Sequence, residues 1–507
     1  MVPMDLSKIN FDPPINSREA ARFYLDDNLG VVPTPVLKDA LRYSNFSKAA
    51  YGLQTKLWKA GGNLPGNSGA AHCLDGVLSS RFFPRILGSA IDVEERFKKR
   101  NFDAILELTG IPPEDFLYVS YSNTTFGKLP FMVMLDRVNR KVVISIRGTA
   151  GLEDLITDLL SNPVEMNGML PQSMLDALPQ KTTVYGHAGI MSSAKAMIAT
   201  LSEDGILQTI NTHVSSTEDL DTPDTSGHED ARPSTPGNLE ELGRAFSKHV
   251  SSLKADMDVE FSLERAQTAV FDALFVEDYE IVITGHSLGA AVASIVSLVL
   301  KEKYPSLKCF AFNPPGGIIS PDLSELVAPY ITSIIVGFDA ISRLGLKNVT
   351  DLVDDMVFSL CRCKRPKLKI AMDVILSKRR DPLTAPKTYC SFDDVDDDVR
   401  QIIVDYMAAS LVHKSVDSHE LVPVGRIVFL RPYVQSGGAI EWDAVHASAN
   451  DIVNEGILVS KLALAHHRFY STISALQFCI DEREAAQREG TVAAGPNSGS
   501  PFRDDDG

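Results

Sequence analysis

Tyr279-Glu280-Ile281-Val282-Ile283-Thr284-Gly285-His286-Ser287-Leu288-Gly289-Ala290-Ala291 is the stretch on which the fold turns. Ile281 to Thr284 are β-prone and read as a buried strand. Ala290-Ala291-Val292-Ala293-Ser294-Ile295-Val296 then reads as a helix of small residues suited to close packing. Between them lies G-x-S-x-G, the pattern that sets a serine hydroxyl on a strained strand-to-helix turn at the carboxyl edge of a sheet. Gly285 and Gly289 stand where a Cβ would collide with the neighbouring strand and helix. The competing reading is an ordinary structural turn. The expectation is a nucleophile elbow at Ser287.

Further strands lie on both sides of this unit. Pro130 to Leu135 and Lys141 to Ile146 form a pair joined by the polar pentapeptide Asp136-Arg137-Val138-Asn139-Arg140. Leu307 to Asn313, Ile331 to Phe338 and Gly425 to Leu430 follow the elbow. Strands alternating with helical segments indicate a mostly parallel sheet covered on both faces, an α/β-hydrolase fold. Pro35 to Tyr51 has helical spacing, with Leu37, Leu41, Phe46 and Ala50 as core contacts, as does Ser17 to Leu25. The chain divides into a helical N-terminal region packed on the core (1–118), an α/β-hydrolase domain (119–483) and a disordered tail (484–507). The domain is interrupted over about 203–260 by a disordered insertion. Within it, from Thr212 to Glu241, the acids Glu218, Asp219, Asp221, Asp224, Glu229, Asp230, Glu240 and Glu241 face the lone base Arg232.

Composition narrows the classes. The chain has 507 residues, 44% apolar and 23% charged, ordinary for a globular protein. A formal charge of -17 argues against a nucleic-acid partner. The six cysteines are too sparse for a disulfide framework. No stretch is long and apolar enough for a transmembrane helix, and the first residues hold no signal-peptide core. The expected place is cytoplasmic, or peripheral on the cytosolic face of membranes. Arg362 to Arg380 is basic, with Cys361 and Cys363 beside it as candidate acylation sites, and is the candidate peripheral membrane contact. Its competing reading is a solvated basic face. Asp393, Asp394, Asp396, Asp397 and Asp398 lack EF-hand spacing, so no metal is expected.

A serine needs a base, and the base needs an acid, in the chain order Ser, Asp, His. Asp339 directly follows an apolar strand and is the candidate acid, with Asp351 and Asp354 as weaker substitutes. The base comes from His413, His419, His446, His466 or His467; by residue reading His466 and His467 stand level. The oxyanion needs two backbone N–H donors. Leu288 supplies one as the residue after the nucleophile. Thr149, in the strand-end turn Arg147-Gly148-Thr149, is the candidate for the other. The helical stretch Gly151 to Leu160 places Leu152, Leu155, Ile156 and Leu159 on an apolar face, a candidate lid over an acyl pocket. This chemistry requires no cofactor.

Three clusters carry a resemblance: Val143 to Thr149 with Asp154, Thr157, Asp158 and Leu159; Tyr185-Gly186-His187-Ala188-Gly189-Ile190; and Gly285 to Ala290. Together they resemble the class 3 lipase family. Tyr304 to Gly317 and Val336 to Gly345 are similar, more closely, to the catalytic domain of sn-1-specific diacylglycerol lipases. The resemblance spans about 120–205 and 262–480. It implies Ser287 as nucleophile, Asp339 as acid and His467, ahead of Arg468-Phe469-Tyr470, as base, leaving His466 as the alternative. His187 matches a family motif near the active site without being the base. The implied activity is hydrolysis of a fatty acyl ester of diacylglycerol to monoacylglycerol and fatty acid, with the glycerolipid taken from a membrane or lipid-droplet surface. A phospholipase A1 or galactolipid lipase on the same triad is the second enzyme reading. A catalytically inactive interaction scaffold is the reading from another class.

Overall fold

A computed structural model of the protein describes residues 30–52, 102–120, 129–148, 163–179, 182–203, 269–270, 273–274, 277–364, 366, 390–416, 419–434, 440–458, 460 and 462–488. The strands are β1 (Phe116–Ser120), β2 (Phe131–Asp136), β3 (Lys141–Ile146), β4 (Pro163–Glu165), β5 (Tyr185–His187), β6 (Glu280–His286), β7 (Lys308–Phe312), β8 (Ile331–Val336), β9 (Arg426–Val434) and β10 (Ile440–Ala447). The helices that concern the site are α1 (Thr34–Ala49), α2 (Ala188–Glu203), α3 (Leu288–Leu300), α4 (Leu346–Arg362), α5 (Asp397–Val416), α6 (Ala449–Glu455), α7 (Ala463–His466) and α8 (Phe469–Arg488).

Eight strands form one sheet in the order β1-β2-β3-β6-β7-β8-β9-β10, and β4 pairs with β5 in a separate two-stranded sheet. The pairs from β3 through β6, β7 and β8 to β9 are parallel; β1–β2, β2–β3 and β9–β10 are antiparallel. This mostly parallel sheet with helices on both faces is the α/β-hydrolase architecture. Every residue of β2 is buried, as is β6 from Ile281 onward. Such strands need apolar residues on both faces, so they read as continuous hydrophobic runs. Alternate side chains go to opposite layers. Ile281 and Ile283 join a core built with α2 and α3, whereas Val282 joins Phe310 and Phe312 in a second core with α1 and α8.

Helix α3 is buried along nearly its whole length, which explains its small-residue composition. Helix α1 supplies Leu37, Ala40, Tyr43, Phe46 and Ala49 to the other layer. Tyr43 stacks on Phe310 at 5.1 Å between centroids. Arg42 grips Asp136 at the end of β2 through two hydrogen bonds of 2.5 Å. That carboxylate is fully buried, so the two-pronged guanidinium contact replaces the water it gives up. Ser145 of β3 donates to the carbonyl of Phe46 at 3.0 Å, a second bond to an oxygen that already accepts from the N–H of Ala50, and so ties the end of the helix to the sheet.

Some expected elements are longer, and others are new. Strand β9 continues past Leu430 to Val434 because β10 pairs with its far half. Strand β8 stops pairing at Leu430, so Pro432 lies where no donor is needed on that side. Helix α8 runs through Arg488, five residues into the stretch expected to fray. Residues 1–29, 53–101, the insertion from 204 to 268 and the tail from 489 lie outside the described residues. No described helix is long and apolar enough to cross a membrane.

Phe46 is wholly buried between α1 and the sheet. Phe46→Ala is expected to lower unfolding free energy by about 3–5 kcal/mol. Urea unfolding should still show one transition, because α1 and the sheet share a core; a separate early transition would mean that α1 folds independently.

Candidate active site

Strand β6 delivers Ser287 to its carboxyl end, and α3 begins at the next residue. Ser287 has φ 57° and ψ −128°, a conformation costly for a residue with a Cβ. Its surroundings enforce it. Its N–H donates to the carbonyl of Phe312 at 3.0 Å. A Cβ on Gly289 would lie 2.4 Å from the carbonyl oxygen of Ile146, and one on Gly285 would lie 2.3 Å from that of Gly289. Helix α3 therefore presses against β3 and β6 as closely as backbone allows, and the serine side chain is turned out of the sheet.

Asp339 lies three residues beyond β8 and is completely buried. Its Oδ1 accepts from the N–H of Ile341 at 2.9 Å. Its Oδ2 accepts from Asn313 Nδ2 at 2.6 Å and from Ser342 Oγ at 2.8 Å. His467 Nδ1 lies 3.1 and 3.0 Å from the two oxygens. A carboxylate only accepts, so Nδ1 carries the proton. His467 Nε2 is then the lone-pair nitrogen, and it lies 3.0 Å from Ser287 Oγ. Burial alone would raise the Asp339 pKa; the adjacent His467, with hydrogen bonds from His467, Asn313 and Ser342, outweighs it and holds the carboxyl below its ordinary value.

Residues 243–349, which include Ser287 and Asp339, match the family model Lipase (class 3). This stretch of the chain is similar to class 3 lipases. Diacylglycerol lipase-beta of Mus musculus is 27% identical over 272 residues, which is 54% of this chain and 30% of that protein. Diacylglycerol lipase-alpha of Homo sapiens is 26% identical over 342 residues, 66% of this chain and 26% of that protein. The chain thus matches about a third or less of the length of these relatives. Among solved structures, the lipase from Rhizopus microsporus var. chinensis aligns over 87% of this chain and 88% of its own at 11% identity, with a TM-score of 0.36. The fold assignment rests on the strand order.

Around this matched segment, the structure sorts the histidines. His466 Nδ1 accepts from the N–H of Phe338 at 2.9 Å, and its ring lies between Phe338 and Trp442. Gly337 must be glycine here: its φ is +38°, and a Cβ would lie 2.5 Å from that nitrogen. Burial pushes the His466 pKa down to about 4. His466 is thus engaged away from Ser287, while its neighbour meets it. His419 stacks on Tyr185, and His446 lies on β10. Asp351 and Asp354 belong to α4; Asp354 accepts from Ser410 at 2.8 Å and takes no part with His467.

Leu288 opens α3, where first-turn N–H groups have no intrahelical acceptor, as the oxyanion role requires. Thr149 and the lid candidates Leu152, Leu155, Ile156 and Leu159 lie outside the described residues. Arg362, the first base of the basic stretch, is buried and donates to the carbonyl of Cys390 at 2.7 Å, so its charge faces inward. Cys361 and Cys363 are half-buried beside it. Among the described residues, no three His, Cys, Asp or Glu side chains are grouped to hold a metal ion.

Four supporting residues escaped the sequence reading. Asn313, at the end of β7 with φ 47°, donates to Asp339 and, at 3.2 Å, to the carbonyl of His466, while its Oδ1 accepts from Thr472 at 2.8 Å. Its position at a strand end beside the elbow was the available signal. Arg343 is wholly buried, donates to the Asp339 carbonyl at 2.8 Å and pairs with the buried Glu455 at the end of α6 through Nε at 2.7 Å. His286 is buried against His467 and Phe469. Burial, with His467 next to it, pushes its pKa down to about 3.

A depressed histidine pKa means that the folded protein refuses a proton that the unfolded chain accepts near 6.5. Stability is full above that pH and falls as pH drops toward about 4 for His466 and about 3 for His286. The joint loss is on the order of a few kcal/mol. Asp339, with its pKa depressed, adds a loss only below the ordinary 3.8. The urea midpoint should therefore drop between pH 6.5 and 4. His466→Asn, whose amide oxygen can accept from Phe338, should flatten that slope; an unchanged slope would remove His466 from the account.

Proposed function

We propose that the protein is a serine lipase that hydrolyses a fatty acyl ester of diacylglycerol to monoacylglycerol and free fatty acid. The reading is carried by one observation, the hydrogen-bonded series Ser287 Oγ, His467 Nε2, His467 Nδ1 and Asp339. A class 3 lipase match and relatives named diacylglycerol lipase support a carboxylic ester hydrolase of this kind.

In this mechanism His467 Nε2 takes the Ser287 proton as Oγ bonds to the ester carbonyl carbon. The carbonyl electron pair moves onto oxygen, held by the N–H groups of Leu288 and Thr149. Asp339 stabilises the imidazolium and fixes its tautomer. Collapse breaks the bond to the glycerol oxygen, which leaves with the proton from Nε2. Water then gives its proton to Nε2 and attacks the acyl-enzyme; the second collapse returns that proton to Ser287 and frees the fatty acid. The proton that Ser287 gives up leaves on the glycerol oxygen and is replaced by one from water, and no cofactor enters.

The substrate class draws support from the surface near the base. Leu462, Leu464 and Tyr470, within five residues of His467, are exposed. Apolar side chains next to a catalytic base suit contact with a lipid surface more than with a dissolved ester. The proposed place of action is the surface of a membrane or lipid droplet on the cytosolic side.

Ser287→Ala is expected to abolish esterase turnover and fluorophosphonate labelling while keeping the urea transition. Asp339→Asn should lower kcat by about 10⁴-fold through the wrong tautomer. Turnover by Ser287→Ala would sink the assignment. A panel of diacylglycerol, triacylglycerol, phospholipid and galactolipid tests the substrate. Preference for either of the last two would replace the diacylglycerol reading with a phospholipase A1 or galactolipid lipase, and unlabelled wild-type protein would support the inactive scaffold.

A further inference from the structure

Tyr51 lies two residues beyond α1, in the N-terminal region and far outside the segment matched to the family model. The end of α1 places it: its N–H donates to the carbonyl of Lys48 at 3.1 Å, and Gly52 turns the chain away with φ 51°. The Arg42–Asp136 and Ser145–Phe46 hydrogen bonds fix that end of the helix against β2 and β3. The ring is buried, edge-on to His286 and to Phe469. So far this describes a packed aromatic residue.

The hydroxyl does more than pack. Tyr51 Oη accepts from the N–H of Gly148 at 3.1 Å. Gly148 is the residue before Thr149 in the turn assigned to the oxyanion. The same oxygen lies 3.3 Å from His286 Nδ1. The other nitrogen of that ring, Nε2, lies 2.7 Å from the main-chain carbonyl of His467. A carbonyl only accepts, so Nε2 carries the His286 proton and Nδ1 holds a lone pair. Tyr51 Oη is therefore placed to donate to Nδ1, with the main-chain carbonyl of the same His286, at 3.4 Å, as the second acceptor in reach. One series of hydrogen bonds runs from Gly148 N–H to Tyr51 Oη, to His286, to the backbone of His467. It joins the oxyanion turn, the residue before the nucleophile and the residue bearing the base.

We infer that Tyr51 is a positioning residue for the proposed serine hydrolase, setting the Gly148 turn and the His467 backbone against Ser287 through His286. The inference rests on that functional reading. Three facts favour positioning over packing. The hydroxyl, not the ring alone, is spent on two parts of the machinery. The space is tight, since a Cβ on Gly148 would lie 2.6 Å from Tyr51 Oη and 2.4 Å from the carbonyl oxygen of His286, so the turn has no slack on this side. And His286 stays neutral well below neutral pH, so the series keeps its direction across the working range. The N-terminal region is then part of the active site.

Tyr51→Phe removes one oxygen and keeps the ring. It should slow fluorophosphonate labelling of Ser287, and lower kcat on a soluble ester such as p-nitrophenyl butyrate, by about tenfold to a hundredfold at unchanged KM. That is less than the about 10²–10³-fold expected for deleting an oxyanion donor outright. Amide exchange at Gly148 should quicken, with the thermal midpoint little changed. His286→Phe, which keeps the stacking on Phe469 but loses both nitrogens, should show the same kcat-only loss. The double variant should lose no more than the worse single one, because both cut one series. Wild-type labelling rate and kcat in Tyr51→Phe, or losses that multiply in the double variant, would overturn the inference. If Tyr51→Phe does not fold, a normal kcat in His286→Phe overturns it instead. Failure of wild-type protein to label would overturn the serine-hydrolase reading and not this one alone.

Discussion

A carboxylate shut away from the solvent organises this molecule. Asp339 is fully buried, and an ionised group in that setting survives only if its oxygens are fully engaged. The partners come from distant parts of the chain: Asn313 from the end of β7, Ile341 and Ser342 from the loop after β8, and His467 from the end of α7. Arg343 adds a hydrogen bond to the Asp339 carbonyl and brings Glu455 with it. Satisfying the acid thus fixes the loop after β8, the end of β7 and the segment from α6 to α8. The geometry at Ser287 follows, because His467 cannot turn without leaving Asp339 short of a donor.

The second constraint is steric and belongs to the elbow. Gly289 lies against Ile146 and Gly148, and Gly285 against Gly289. Strand β3 and helix α3 share a contact with no room for side chains, so the serine and the turn after β3 move as one body. Tyr51 closes that body from the opposite layer of the sheet. The electrostatic arrangement and the steric one meet at His286, whose ring touches both.

The sequence was most readable where chemistry and local pattern coincide. The β-branched run before Gly285 and the small residues after it mark β6 and α3, and α3 spans Leu288 to Leu300, the same residues as the longest nearly apolar run. Asp339 was legible because a strand ends just before it. His466 and His467 were level because adjacent imidazoles differ only in the direction they point, and that direction is set by Phe338 and Gly337, 128 residues away in the case of Phe338. The pairing of Arg343 with Glu455 spans 112 residues and leaves no local signature, so a buried ion pair looks like two surface charges until the fold is known. Strand β10 was missed because Glu441, Asp443 and His446 interrupt its apolar residues, as suits an edge strand. Helices α4 and α5 pack on each other, burying Phe358 and Ile403, and leave Val353, Met356, Leu360 and Ile402 exposed.

Helix α1 near the beginning of the described chain and helix α8 near its end share one core on the same face of the sheet. Val32 and Val31 also meet strand β10 through Ala444 and Val445. A ribosome therefore delivers α1 hundreds of residues before the surface that covers it. Until α8 arrives, Leu37, Tyr43 and Phe46 have half a partner, and Asn313 lacks the Thr472 hydroxyl that orients it. Contacts this distant in sequence close slowly and late. The arrangement of Ser287, His467 and Asp339 is consequently complete only once α7 and α8 have formed. A nascent chain that stops short of them holds Ser287, Asp339 and Tyr51 but not His467, so the hydrogen-bonded series cannot form in it.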